Sequence, residues 1–518
     1  MKVTNRSTSG KKKLNLKNYL HCTSHLQKEI ALELFKAACE CVNPEILVAE
    51  NLIYIKNPDR IFIPSRHEHY VLNNNVYIVG FGKAAFGMCQ KAAEIVDEHL
   101  VRGIASVPVG TMEQRLKSGS VKVHPRLEVY EGAKDNIPDE LALRTSKRIL
   151  NMVMPLKEDA ILLVVDLHCL HARCQRSTSM INKMEITINL MNTLRRCLSL
   201  VKGGGLLKMA YPASVISLII SDVVNSDLEV IASGPTVPVS RNYEQVWNII
   251  QRVRRNNKMP DDSIAKFLKS NLDVHESDVP LYRNVSNIII GDNAKALNGL
   301  SEKAKQFGFT PIILTSKLRK QTSMFGSFLA ELILRIFDFY RGNYCCDLFE
   351  TYGITSGTFH HINDLIAKKP VCLLWGGETT PCVRGKGKGG RNMETILYFI
   401  KAVQTQMASM YMESLMSKQC VIASLGTDGQ DGPTDAAGAM VSLNQLHLFD
   451  KSEVDKALLE NDSYNYFQSV QNGDCLVKTG PTGTNVMDIA LLLTLPSNEK
   501  YSRIPLVRSS GDLKKRTY

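Results

Sequence analysis

The stretch "NVYIVGFGKAAFGMCQKAAEIV", residues 75–96, limits the possible folds more than any other feature of the chain. An apolar run with no polar alternation is followed by a glycine turn and then by helical spacing. Such a strand is buried on both faces, which a sheet achieves when helices cover both of its sides. The unit recurs. "AILLVV" at 160–165 and "ASVISLIISDVV" at 213–224 read as buried strands of a first half. "VSNIIIGDNAKALNGLSEKAKQFG" at 285–308 reads as strand, turn and helix opening a second half, continued by the strands "TPIILTS", "VCLLWGG" and "CVIASLG". The expected fold class is α/β in two domains, each a mainly parallel sheet covered by helices. Residues 29–265 form the first domain and 280–500 the second, joined by the polar stretch 255–284 with Pro260 and Pro280. Residues 341–369 read as a long loop or insertion, and 1–28 and 501–518 as basic tails.

Sixty-three Lys and Arg against 51 Asp and Glu give a net charge of +12. Lys2, Arg6, Lys11, Lys12, Lys13 and Lys17, with Lys514, Lys515 and Arg516, carry most of that excess in the two tails. The basic balance therefore points to an anionic small molecule, and no nucleic-acid partner is expected from two Trp and no basic-aromatic interleaving. No apolar run approaches the roughly 20 residues that span a bilayer, so no membrane segment is expected. The 13 cysteines lack a framework spacing and suit reduced thiols of a cytoplasmic protein. The start of the chain, with seven Lys or Arg and no acid before Glu29, keeps a mitochondrial presequence as the alternative. A homo-oligomer is compatible with the chain, and the sequence does not decide it.

Chemistry in such folds collects where strands end. After the first strand, Gly80 and Gly82 let backbone approach an anion and Lys83 adds charge; neither the dinucleotide nor the P-loop spacing is present. Lys202 precedes Gly203 to Gly205, a second anion-facing turn or a simple helix stop. "IISDVV" ends in Ser221 and Asp222, where an acid serves as base or Mg²⁺ ligand, or caps a helix. "WGGETTPCVRGKGKGGRNMETIL" gathers Gly377, Glu378, Arg384, Lys386, Lys388, Gly390, Arg391 and Asn392 into a cationic glycine loop that opens a helix, a pattern suited to polyphosphate. "SLGTDGQDGPTDAAGA" sets Asp428, Asp431 and Asp435 among glycines without the spacing of a calcium loop. "KTGPTGTNVMDIAL" brings Thr482, Thr484, Asn485 and Asp488 to an expected helix start.

Taken together, "GFGKA", "VKGGG", "SDVV", "EVIASGPT", "GGET", "GKGKGGRN", "GTDGQDGPTDAAGA" and "TGPTGTNVMD" closely resemble the class II glycerate kinase family, over about residues 29 to 495. The resemblance implies a Rossmann-like N-terminal domain and a MOFRL-type C-terminal domain, with the MOFRL region at about 370–495. It implies phosphorylation of D-glycerate to 2-phosphoglycerate with ATP and Mg²⁺ in the cleft between the domains. On its motifs, Lys83 and Arg391 match the family's essential cations and Asp222 its strand-end acid. Gly82, Lys202, Gly377, Glu378, Lys388, Gly390, Asn392, Asp428, Thr484, Asn485 and Asp488 are the expected nucleotide- or substrate-binding positions, with Asp222 or Asp428 as the metal ligand.

The chain departs from that pattern in three places. Asn225, Ser226 and Asp227 stand where the family writes Gly-Asp-Pro, and Met393 replaces a Gln. More consequentially, "DLHCLHARCQRSTSMINKME", residues 166–185, stands where the family has a Ser-Gly-Gly-Gly-Ser-Ala-Leu loop. Codons for Asp166 to Cys169, read one base earlier, can spell Gly-Ser-Ala-Leu, so a local frame change accounts for the segment. His168, Cys169, His171 and Cys174 are then an accident of that change and not a zinc site, for which no partner loop or supporting shell is found. The alternative to an active kinase is accordingly a catalytically impaired or non-catalytic relative.

Overall fold

The computed structural model describes residues 23–117, 122–133, 139–167, 188–239, 241–255, 262–272, 284–339, 349–407 and 409–496. Behind a small antiparallel sheet of β1 (Ile53–Ile55), β2 (Arg60–Ile63) and β3 (Glu68–Val71) come two six-stranded sheets. The first contains β4 (Val76–Phe81), β5 (Leu100–Pro108), β6 (Leu127–Gly132), β7 (Ile161–Leu167), β8 (Ser214–Ile220) and β9 (Val285–Gly291) in the order β6-β5-β4-β7-β8-β9. Every pairing in it is parallel. Counted within the domain this is the order 3-2-1-4-5-6, a doubly wound sheet whose winding reverses between β4 and β7. The crevice beyond the carboxyl ends of those two strands is where such folds bind ligands.

The second sheet holds β10 (Thr310–Leu318), β11 (Val371–Gly377), β12 (Cys420–Gly426), β13 (Gly438–Ser442), β14 (Leu476–Val477) and β15 (Asp488–Thr494) in the order β10-β11-β15-β12-β13-β14. The two-domain α/β organisation agrees with the sequence reading, but this sheet is mixed. Only β10 and β11 pair in parallel, because β15 inserts between β11 and β12 and runs against both. The segment after Asn485 is therefore a strand and not a helix start. A fully buried strand is a continuous apolar run, which periodicity cannot tell from a buried helix; all seven residues of β15 are buried.

Three further boundaries move. The strand Val285–Gly291, expected from the sequence to open the second half, pairs with β8 as the last strand of the first sheet. The polar stretch before it is therefore a crossover within that sheet, carrying the helix Asp262–Ser270. The stretch read as a loop at 341–369 contains the helix Ser356–Ile366. The helix Thr23–Cys41 begins the first domain in sequence but packs on the helix Asn293–Gln306, so closely that a Cβ at Gly299 would lie 2.5 Å from that of Cys41. It buries Ala31, Leu34, Phe35 and Ala38 in one apolar cluster with Leu218 of the first sheet and Val421, Leu425 and Leu491 of the second. At about 1.5–3 kcal/mol for each large side chain, this helix fastens the two sheets together.

Candidate active site between the two sheets

The carboxyl end of β4 leads through Gly82 to Lys83. Gly82 has φ +139°, a conformation that excludes a side chain at little cost only in glycine. Its N–H donates to Ser106 O at 3.1 Å, so that amide is spent on the sheet and not on an anion. Lys83 crosses to the second domain and places Nζ 2.7 Å from Asp428 Oδ2. Beside it, Asn485 Nδ2 of the second domain donates to Asp222 Oδ2, at the tip of β8, at 3.4 Å. Two pairs thus bridge the domains.

Arg391, the first residue of the helix Arg391–Gln406, is the cation of the second domain. Its Nε and Nη2 hold both oxygens of Asp488 at 2.5 and 2.9 Å, and Nη1 reaches Glu378 Oε1 at 2.9 Å. Burial alone would lower its pKa, but Asp488 and Glu378 hold it above the ordinary arginine value. Glu378 moves the opposite way: burial raises its pKa, Arg391 opposes, and the fields of Asp488, Asp222 and Asp428 add to the rise. That mutual influence locates Asp222, Glu378, Asp428 and Asp488 in one electrostatic neighbourhood. With Asp431, which is coupled to Asp488 and Arg391, five carboxyl groups there face two cations, Lys83 and Arg391.

The approach to Arg391 is built by close backbone contacts. Gly377 has φ +134°, and a Cβ there would stand 2.3 Å from Leu318 O, the acceptor of the Glu378 N–H at 2.8 Å. The loop 384–390 packs on residues 460–463. Asn461 Oδ1 accepts from the N–H groups of Arg384 and Gly385, Asp462 Oδ1 from Lys388, and Glu460 O from Gly387. These amides, expected to cradle phosphate, are committed within the protein. The helix start itself is filled as well: Asp431 accepts from Asn392 N at 3.1 Å, Asn392 Nδ2 at 3.3 Å and Met393 N at 2.8 Å. Ser424 Oγ donates to the Asn392 amide oxygen at 2.6 Å.

The structure therefore brings Lys83, Asp222, Glu378, Arg391, Asp428, Asn485 and Asp488 together, with Gly377, Gly390 and Asn392 supporting them. Other expected positions do different work. Lys202 is buried and its Nζ donates to Ala232 O at 2.9 Å, while the Gly203 and Gly204 N–H groups donate to Ser233 O and Gly234 O. That turn is fastened to "ASGPT" and is not presented to an anion. Lys388 is exposed, with Nζ 4.4 Å from the centre of the Tyr464 ring. Thr484 is buried and bonds Val42 O at 2.9 Å, tying its loop to the end of the first helix. Asn225 has φ +70°, so the family's glycine is replaced by a residue that tolerates this backbone. The altered segment, with His168, Cys169, His171 and Cys174, lies outside the described residues. Among the described residues, no three His, Cys, Asp or Glu side chains are grouped so as to hold a metal ion.

Sequence reasoning missed several participants. Asn293 is buried and its Nδ2 donates to Val486 O and Asp488 O at 2.8 and 3.0 Å, fixing the backbone that carries Asp488. Arg115 lies 5.1 Å over the Phe86 ring and pairs with Glu45 at 3.1 Å, close to Gly483. Asn461 bonds both the glycine loop and Glu394. None carries a local signal, because each acts across a large sequence separation.

A doubly wound parallel domain and a mixed-sheet domain, meeting through cations and carboxylates at their strand ends, define a two-domain α/β protein with a charged seam. The MOFRL family matches residues 371–488, and a domain of unknown function, DUF4147, matches 30–167 and 168–269. A glycerate kinase of Danio rerio is 34% identical, covering 91% of this chain and 98% of its own length, and the human glycerate kinase is 34% identical over 90% and 93%. The D-glycerate 2-kinase of Thermotoga maritima is 29% identical over 90% and 97%. A crystal structure of a glycerate kinase from Thermotoga maritima superposes with a TM-score of 0.68 at 27% identity, covering 91% of this chain and all of that one. The chain belongs to the glycerate kinase family with a C-terminal MOFRL domain, and is a kinase by class. No helix among the described residues is long and apolar enough to cross a membrane.

Proposed function

We propose that the chain transfers the γ-phosphoryl group of ATP to the 2-hydroxyl of D-glycerate, giving 2-phosphoglycerate and ADP, at the seam between the two domains. The observation that supports this most is the interleaving of Lys83 and Arg391 with Asp222, Glu378, Asp428 and Asp488. Phosphoryl transfer asks a protein mainly to position the reactants and to neutralise charge on the moving group. Lys83 and Arg391 supply that neutralisation once substrate oxygens take the place of Asp428 and Glu378 on them. Asp222 orients the glycerate hydroxyl and accepts its proton as the oxygen attacks phosphorus and the bond to the ADP oxygen breaks.

The donor set suits Mg²⁺. Carboxyl groups outnumber cations in a site meant for anions, and Mg²⁺ characteristically takes one or two carboxylates with phosphate oxygens completing its shell. Asp222 or Asp428 would hold it, and when bound it would offset the negative charge of the phosphate oxygens. The test is ADP release from the full chain given D-glycerate and Mg-ATP, beside Arg391→Ala. Turnover that falls steeply in the variant supports the reading.

One observation favours a second reading. β7 ends at Leu167 on one side of the crevice where the winding reverses, residues 168–187 come next in sequence, and the match to DUF4147 divides at 167/168. A folded protein without turnover that gains it when a Gly-Ser loop is restored there would be an impaired relative.

A further inference from the structure

Helix N-termini attract anions because their first N–H groups have no partner within the helix. At Arg391 that place is already taken. The N-cap residue is Gly390, which has no side chain to accept from the helix, and its backbone is extended. The acceptor comes instead from far along the chain: both carboxylate oxygens of Asp431, which is 1% exposed, hold the N–H groups of Asn392 and Met393. The two glycine loops that meet here fit only without side chains. A Cβ at Gly390 would lie 2.3 Å from Asp431 Cγ, and one at Gly432 would lie 2.1 Å from Gly389 O. Asp431 is itself held, since its N–H donates to Ala436 O at 2.7 Å and its carbonyl accepts from Thr434 Oγ1 at 2.8 Å.

We infer that Asp431 is a positioning residue that closes the start of the Arg391 helix from inside, so that anion binding at this helix falls to the Arg391 side chain and not to the helix amides. This rests on the kinase reading for its catalytic consequence. Arg391 is the first helical residue, and its guanidinium must meet Asp488 with two donors and Glu378 with a third. Loosening the first turn moves that fork as a unit. A misplacement near 1 Å costs on the order of 100-fold in a reaction that depends on alignment.

Asp431→Asn keeps size and removes one acceptor, and Asp431→Ala removes both. Amide hydrogen exchange of peptides covering 391–396 reads the cap directly. The expected result is faster exchange there, by about tenfold or more, with the sheets β11, β12 and β15 unchanged. Unchanged exchange at 391–396 would overturn the cap. The catalytic part is read by a double-mutant cycle with Arg391→Ala, scored on kcat and, independently, on the melting shift produced by Mg-ADP. Asp431→Asn should lower the first by about tenfold or more, yet add almost nothing in the Arg391→Ala background. Losses that multiply in both readouts would show that Asp431 does not act through Arg391. A wild-type chain without turnover would count against the kinase reading, while the exchange and Mg-ADP measurements would still decide the role of Asp431.

Discussion

The two domains deliver their cations to the seam by different means. The side chains of Lys83 and Arg391 are equally exposed, at 30% and 31%, so burial does not separate them. Support does. Lys83 extends from one glycine turn to a single described carboxylate, Asp428. Arg391 sits on a capped helix, shares two carboxylates, and is backed by Asn293 through the Asp488 backbone and by Asn461 through the glycine loop. The lesson is that fixed geometry resides in the second domain, while the first contributes a longer-reaching point charge.

The largest test of that contrast exchanges the two cations' side chains. Arg391→Lys should reduce kcat/KM on the order of 100-fold, because an ammonium cannot span both oxygens of Asp488 and also reach Glu378. Lys83→Arg should cost at most about tenfold, since one contact with Asp428 does not require a fork. Steady-state kinetics with D-glycerate and Mg-ATP measure both. Equal losses would mean that the two cations are held alike and would dissolve the comparison.

Next in size is a pure backbone test on the rigid side. Gly377→Ala must place Cβ against Leu318 O at a φ of +134°, and should destabilise the fold by about 2–4 kcal/mol, lowering the urea midpoint at constant m. Asn293→Ala is expected to cost about 1–3 kcal/mol, because two buried carbonyls lose their donor. Its kcat should fall with Asp488 misplaced, whereas a change of stability alone would leave Asp488 anchored by the sheet.

Much of the fold was legible because buried strands and glycine turns are local signals. "NVYIVGFG" announces β4 and its turn, and "SDVV", "GGET" and "GTDG" each end a strand in a polar residue at the seam. What was hidden depends on partners far away in sequence. Lys202 beside three glycines looks like an anion-facing turn, yet those glycines serve to bring backbone against Ser233 and Gly234. Residues 255–284 resemble a linker, but whether a polar crossover joins two sheets or two strands of one is settled by the pairing of β9 with β8. Asp431 looked like one more acid in a glycine-rich loop; only the fold reveals that it reaches the helix at Asn392. The sequence alone could not distinguish a glycine loop that cradles phosphate from one whose amides are consumed by Asn461 and Asp462.

The smallest effect concerns the protonation of Asp431. Burial pushes its carboxyl up to about 7, with the Met393 and Asn392 N–H groups opposing and Asp488 reinforcing the rise. A carboxyl whose pKa is near 4 unfolded and about 7 folded binds more protons in the native state between those values. Its contribution to stability is therefore complete below about pH 4 and is lost as pH rises through about 7. Asp431→Asn is neutral throughout and lacks that dependence, although it gives up one acceptor at every pH. The stability advantage of the wild type over the variant should thus be greatest near pH 4 to 5 and shrink toward pH 8, by a few degrees in Tm. Paired melting curves across that range read the sign without interference from other titrating groups, which both proteins share. An advantage that grows with pH would mean that the ionised carboxylate is the favoured cap, with the helix amides and Arg391 outweighing burial.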